Sequence, residues 1–132
     1  MEILRSDDSL FTKFGQVYMT TAKPGYVKGW HYHKKQTDNF VCLCGEMKVA
    51  LYDDREKSKT KGETQEIILN PKEPILLQIP PGVLHGFESN IGEESIVINI
   101  PTEVYVYDKP DEYRVDPFNN DIPYKWKSKK GG

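Results

Sequence analysis

From Phe14 to Tyr107 the chain alternates strand-length runs rich in Val, Ile, Tyr and Phe with breaks at Pro, Gly, Asn or Asp. Runs of that kind predict short β-strands, since β-branched and aromatic side chains suit a pleated surface and the breakers supply turns. The first is Phe14–Thr21, closed by Lys23-Pro24-Gly25, and the segment Trp30-His31-Tyr32-His33 follows it. Over Asp38–Cys44, two-residue alternation puts Asp38, Phe40, Cys42 and Cys44 on one face. Over Met47–Asp53, Met47, Val49 and Leu51 alternate with Lys48, Ala50 and Tyr52, the pattern of an antiparallel strand with one face in the core. Glu66–Leu69 and Ile75–Ile79 flank Asn70-Pro71, and Ser95–Ile100 and Glu103–Tyr107 complete the series. The polar stretch 54–63 reads as a long exposed turn, Pro80-Pro81-Gly82 as a tight turn before His85, and 108–132 as an irregular segment. No helical periodicity, repeat or linker interrupts this. The expectation is an all-β antiparallel sandwich or small barrel, with residues 1–132 as one domain.

Composition narrows the partners. Lys and Arg total 18 against 20 Asp and Glu, a formal charge of -2, so no broad basic field points to nucleic acid. The basic tail Lys125–Gly132 reads as a frayed end. No apolar run approaches the roughly 18 residues needed to span a bilayer, and no basic-then-apolar leader opens the chain, so no membrane partner and a cytoplasmic location are expected. Cys42 and Cys44 lie one residue apart in an apolar run, a spacing that suits two reduced, buried thiols rather than a disulfide.

The candidate chemistry rests on three histidines. Alternation sends His31 and His33 to one side of their strand and Tyr32 to the other, and His85 follows the Pro-Pro-Gly turn. Polar groups directed into a barrel interior mark a ligand site, since unpaired burial is costly. Two chemistries remain open. Three imidazoles with Asp38 can hold a divalent ion such as Zn, Ni, Fe or Mn. Alternatively, a neutral imidazole can remove a proton beside a ketone while a cation or donor stabilises the oxyanion.

The order His31-x-His33, Asp38, Gly45 and then Pro80-Pro81-Gly82-Val83-Leu84-His85 resembles the metal pattern of the cupin superfamily, which implies His31, His33, Asp38 and His85 as ligands. A closer resemblance lies in Lys28-Gly29-Trp30-His31-Tyr32, Gly45 through Arg55, Ile79 through Phe87, and Tyr107 through Pro110-Asp111-Glu112 to Ile122–Trp126. These stretches resemble the dTDP-4-keto-6-deoxyglucose 3,5-epimerase family. That resemblance implies a cupin-type jelly roll, a homodimer, no cofactor and a nucleotide-sugar substrate used in cell-surface polysaccharide synthesis. It implies His31 as the base, His85 as a group lining the pocket and Lys28 as a substrate-holding cation. Beside it, Tyr107 and His85 are taken as further catalytic candidates, His33 and Asp38 as pocket residues that bind substrate, and Lys48 and Arg55 as cations for the pyrophosphate that a nucleotide sugar carries. The departures are specific. Asp38 stands where the family has an enolate-stabilising lysine, Ile100 or Pro101 where it has a tyrosine acid, and Lys28 where it has an arginine. The lysine keeps the charge but loses the bidentate fork. Single epimerisation and a 3,4-keto shift are therefore both open, as is a diverged metal- or sugar-binding cupin without epimerase activity.

Overall fold

The computed structural model describes residues 1–132. The alternating runs become β1 (Tyr18–Ala22), β2 (Tyr26–Tyr32), β3 (Asp38–Cys44), β4 (Met47–Asp53), β5 (Thr64–Leu69), β6 (Leu77–Ile79), β7 (Val83–Ser89) and β8 (Ser95–Asn99). Two short strands follow, β9 (Tyr113–Arg114) and β10 (Lys130–Gly131). One sheet runs β1-β8-β3-β6 and the other β10-β2-β7-β4-β5, with β9 also pairing β2. All pairings are antiparallel except β10 on β2. This is a jelly-roll sandwich.

Two cores hold it together. The first lies between the sheets: Ala22, Phe40, Cys42, Ile79 and Val97 from the smaller sheet meet Met47, Val49, Leu69, Val83 and Phe87 from the larger. The second covers the outer face of the larger sheet, where Val27, Trp30, Ala50 and Leu84 pack against Trp126 with Ile122 and Tyr124 beside it. Trp126 is admitted there by a glycine. A Cβ on Gly86 would come within 3.0 Å of both the Trp126 ring and the Lys28 carbonyl. Gly29 is equally constrained, since a Cβ there would approach the Gly86 Cα to 2.8 Å. Close approach of β2 and β7 thus depends on a pair of glycines.

Several expectations need correction. β4 is not half-buried. Its outer residues Lys48 and Ala50 are covered as well, because the C-terminal segment lies over them. That segment is not a frayed tail: the Lys127 and Ser128 amides donate to the Glu88 carboxylate at 3.2 and 2.9 Å, and β10 extends the sheet. The first strand begins at Tyr18, leaving Phe14 exposed. Glu103–Tyr107 is a loop beside residues 15–18, tied there by the Tyr105 amide on Gln16 Oε1 at 2.9 Å. Cys42 is buried, whereas Cys44 is exposed, because an irregularity in the β3–β8 register between them breaks the alternation.

The outer core makes a direct prediction. Trp126→Ala should lower unfolding stability by about 3–5 kcal/mol, seen as a reduced urea midpoint. An unchanged midpoint would show that the C-terminal segment is a passive cover.

Candidate functional site

The three histidines and Asp38 meet at one end of the sandwich because of strand register. His31 on β2 lies opposite His85 on β7, and His85 lies opposite Leu51 on β4, so all three share the inward face of the larger sheet. Asp38 opens β3 on the facing sheet, and His33 follows the last residue of β2. The 33–36 turn is held by Asp111, whose carboxylate accepts the Lys34, Lys35 and Gln36 amides at 2.9, 2.9 and 3.1 Å.

Asp38 is 1% exposed and fully occupied. Its Oδ2 lies 3.2 Å from both His33 Nε2 and His85 Nε2, and its Oδ1 accepts from Gln36 at 2.7 Å and Asn99 at 2.8 Å. Burial alone would raise this carboxyl, but the hydrogen bonds from His33 and His85 hold it well below the usual carboxylate range. The other nitrogens of the two rings are also engaged. His33 Nδ1 donates to the Asp111 carbonyl at 2.5 Å, and His85 Nδ1 to the Val83 carbonyl at 3.0 Å. For His33, burial opposes the charged form, yet the Asp38 hydrogen bond and charge raise its pKa above the ordinary value. Neither ring keeps a nitrogen for a substrate.

His31 differs. Its Nε2 is buried and has no hydrogen-bond partner. Burial, followed by the neighbouring charge of His85, lowers its pKa to about 4, so the ring is neutral at ordinary pH. That is the state a general base requires. The two histidines that alternation puts on one face therefore have opposite roles.

A cavity of about 360 Å³ opens beside this cluster, lined by Tyr18, His33, Gln36, Tyr105, Tyr107 and Glu112 among others, with His31 and Lys28 outside its lining. Lys28 occupies the inward position before His31 on β2, across a bulge, and its Nζ donates to Thr20 Oγ1 on β1 at 3.1 Å. Three other expectations fail on geometry. Lys48 points to the outer face, 3% exposed, with Nζ 2.7 Å from Glu88, so it stabilises the fold rather than binding substrate. Arg55 clamps Asp53 through Nε at 2.9 Å and Nη2 at 3.0 Å, so its guanidinium is spent on stapling the 54–63 turn. Tyr107 is at the cavity mouth but 88% exposed, too solvated to be a positioned acid. Tyr18, Gln36 and Asn99 join the site without being among the residues expected there. The inward rows Tyr18-Thr20-Ala22 and Ser95-Val97-Asn99 held the signal for two of them.

The four-residue metal set is also corrected. His33, Asp38 and His85 bring one donor atom each within 4.8 Å of one another, and His31 lies outside. Two imidazoles and a carboxylate, with both Nδ1 atoms held by backbone carbonyls, form a donor set that fits a divalent ion. In the metal-free protein the network has its own pH signature. The lowered Asp38 pKa gives stability above roughly pH 4 that is lost on acidification; the raised His33 pKa gives stability below roughly pH 6.5 that is lost as pH rises through its folded value. The stability difference between wild type and Asp38→Asn, measured by urea unfolding, should therefore peak between those limits. A difference independent of pH would refute the network.

The chain resembles known proteins along most of its length. Residues 1–113 match the family model "Polysaccharide biosynthesis C-terminal domain". The spore coat polysaccharide biosynthesis protein SpsL of Bacillus subtilis is 40% identical over 126 residues, covering 95% of this chain and 83% of that protein. Among solved structures, a dTDP sugar isomerase from Desulfovibrio desulfuricans superposes with a TM-score of 0.88 at 31% identity, covering 95% of this chain and 79% of the other. The dTDP-4-dehydrorhamnose 3,5-epimerase of Sulfolobus tokodaii gives 0.77 at 30% identity, covering 94% and 72%. With its jelly roll and inward histidines, this chain belongs to the polysaccharide biosynthesis C-terminal domain family and, within the cupin-type folds, to the dTDP-4-dehydrorhamnose 3,5-epimerase-like enzymes.

Proposed function

We propose that the chain is an epimerase or isomerase acting on a nucleotide-linked 4-keto-6-deoxy sugar in polysaccharide biosynthesis. The observation that carries this is His31, a neutral imidazole with an unpartnered buried nitrogen, on the inward face beside a lysine in a chain of this family. His31 removes the proton next to the C4 ketone. Lys28, one inward position away, supplies the positive charge that the resulting enolate oxygen needs. His33 and His85 are fully engaged with Asp38 and hold the pocket wall. Tyr105 and Tyr107 at the mouth offer aromatic surface to the nucleotide base.

The enolate then accepts a proton on the opposite face, giving an epimer, or passes through an enediol to the 3-keto isomer. The family resemblance makes a dTDP sugar the first substrate to test, and activated sugars of this kind place the reaction in the cytoplasm. A two-fold homodimer covers the open edge of β1, where Val17 and Met19 are exposed. We propose a reaction without a resident metal, because His31 and Lys28 together provide both the base and the countercharge. The His33–Asp38–His85 donor set supports a second reading, in which a bound divalent ion would polarise the ketone oxygen.

Two measurements test these readings. Incubation with dTDP-4-keto-6-deoxyglucose in D₂O should incorporate deuterium beside the ketone, with an acid limb of kcat/KM near pH 4 rather than at the ordinary histidine value. His31→Ala should abolish incorporation, and Lys28→Met should lower kcat by about 10²–10³-fold. Incorporation that survives His31→Ala removes the proposed base. Separately, exhaustive chelation of untagged protein should leave turnover unchanged; loss restored by one divalent metal would favour the second reading.

A further inference from the structure

Deprotonation by His31 leaves open which group returns the proton, and the position where the family has its tyrosine acid is held here by Ile100 or Pro101. We infer that Tyr18 on β1 is the proton donor, delivering its hydroxyl proton to the face of the enolate opposite His31. The assignment rests on the functional reading above.

Tyr18 is 40% exposed, and the hydrogen-bond order around it leaves its hydroxyl proton with no protein acceptor. Asn99 Oδ1 accepts the Asn39 amide at 2.9 Å, which orients the side-chain amide and turns Nδ2 toward its other partners. Nδ2 then donates to Asp38 Oδ1 at 2.8 Å and to the Tyr18 hydroxyl oxygen at 2.9 Å. The Tyr18 oxygen is thus an acceptor in its one protein contact, and its own proton remains free. Burial pushes the phenol up to about 12, so it stays protonated, yet a phenol is still a stronger acid than the carbon beside a ketone.

Strand register puts this donor opposite the base. Tyr18 pairs with Asn99, and Asn99 with Phe40, in the inward row of the smaller sheet. His31 pairs with His85 in the inward row of the larger sheet. One inward step from each, Lys28 Nζ bonds Thr20 Oγ1 at 3.1 Å, so the two rows face each other directly. Glu112, which lines the cavity with Tyr18 and His33, acts electrostatically on both Tyr18 and His31.

The step balances. The C–H bond breaks, its proton goes to the free His31 nitrogen and its electron pair forms the enolate. That pair then forms a new C–H bond with the Tyr18 proton, leaving phenolate and imidazolium, which reset by exchange with water after product release.

The test separates abstraction from inversion. In D₂O with dTDP-4-keto-6-deoxyglucose, Tyr18→Phe should still exchange the proton beside the ketone, to within about tenfold of wild type, because His31 can return a deuteron to its own face. Formation of the inverted product should fall by about 10²–10⁴-fold. A merely structural role would depress both together. Inversion at the wild-type rate overturns the assignment, and so does loss of both activities with an unchanged melting midpoint. For a variant that does not fold, 3-fluorotyrosine at position 18 keeps the shape and acidifies the phenol; an unchanged ratio of inversion to exchange then overturns it. Absence of exchange in the wild type instead overturns the functional reading, and the assignment with it.

Discussion

The buried carboxylate of Asp38 is the constraint on which the site depends. A charge with almost no access to water is tolerable only when every lone pair is occupied. Here the occupants come from both halves of the sandwich: Asn99 from β8 of the smaller sheet, His85 from β7 of the larger, and His33 and Gln36 from the connection between β2 and β3. Two imidazoles are committed to Asp38, whereas burial, followed by the neighbouring charge of His85, keeps the third, His31, neutral. Asn99 carries the influence further, binding Asp38 and the Tyr18 hydroxyl with one amide nitrogen. The Asp38 framework and the Tyr18 phenol are parts of one hydrogen-bonded arrangement, and the His31 nitrogen stands outside it.

Much of this was legible in the sequence, for a physical reason. Strand alternation is strict, so Asp38–Cys44 and Met47–Asp53 could be read to the residue, and the inward phase of His31 with them. Alternation alone does not say what covers a strand's other face. Lys48 was therefore readable as outward but not as buried, because Tyr124 and Trp126 arrive from the far end of the chain and shelter its pair with Glu88. The same limit hid Asp111, whose carboxylate caps the 33–36 turn from a loop with no periodic signal. Cys44 was misplaced because a break in register has no signature in a single sequence. Tyr107 is a candidate only by its nearness in sequence to the missing tyrosine position, and its exposure makes it a mouth residue.

The position where the wider family keeps a lysine is informative in this light. An aspartate there cannot stabilise an enolate, but it organises two histidines, and under the proposed reaction the demand for a countercharge falls to Lys28. The proposed reaction thus keeps a neutral base near a cation with different residues, as expected when a fold keeps its geometry and redistributes its chemistry.

The parallel pairing of Lys130 and Gly131 with β2 has a consequence for how the molecule is made. The strand that carries His31 acquires its flanking partners β7, β9 and β10 in chain order, and the final one lies most of the chain away. During synthesis the start of β2, at Tyr26 and Val27, stays open on one side until Lys130 and Gly131 are made, whereas β9 closes the strand at His31. Contacts of such long sequence separation form late and slowly. The nascent chain therefore carries an unpaired β edge at Tyr26 and Val27 that a chaperone or a second nascent chain can meet first.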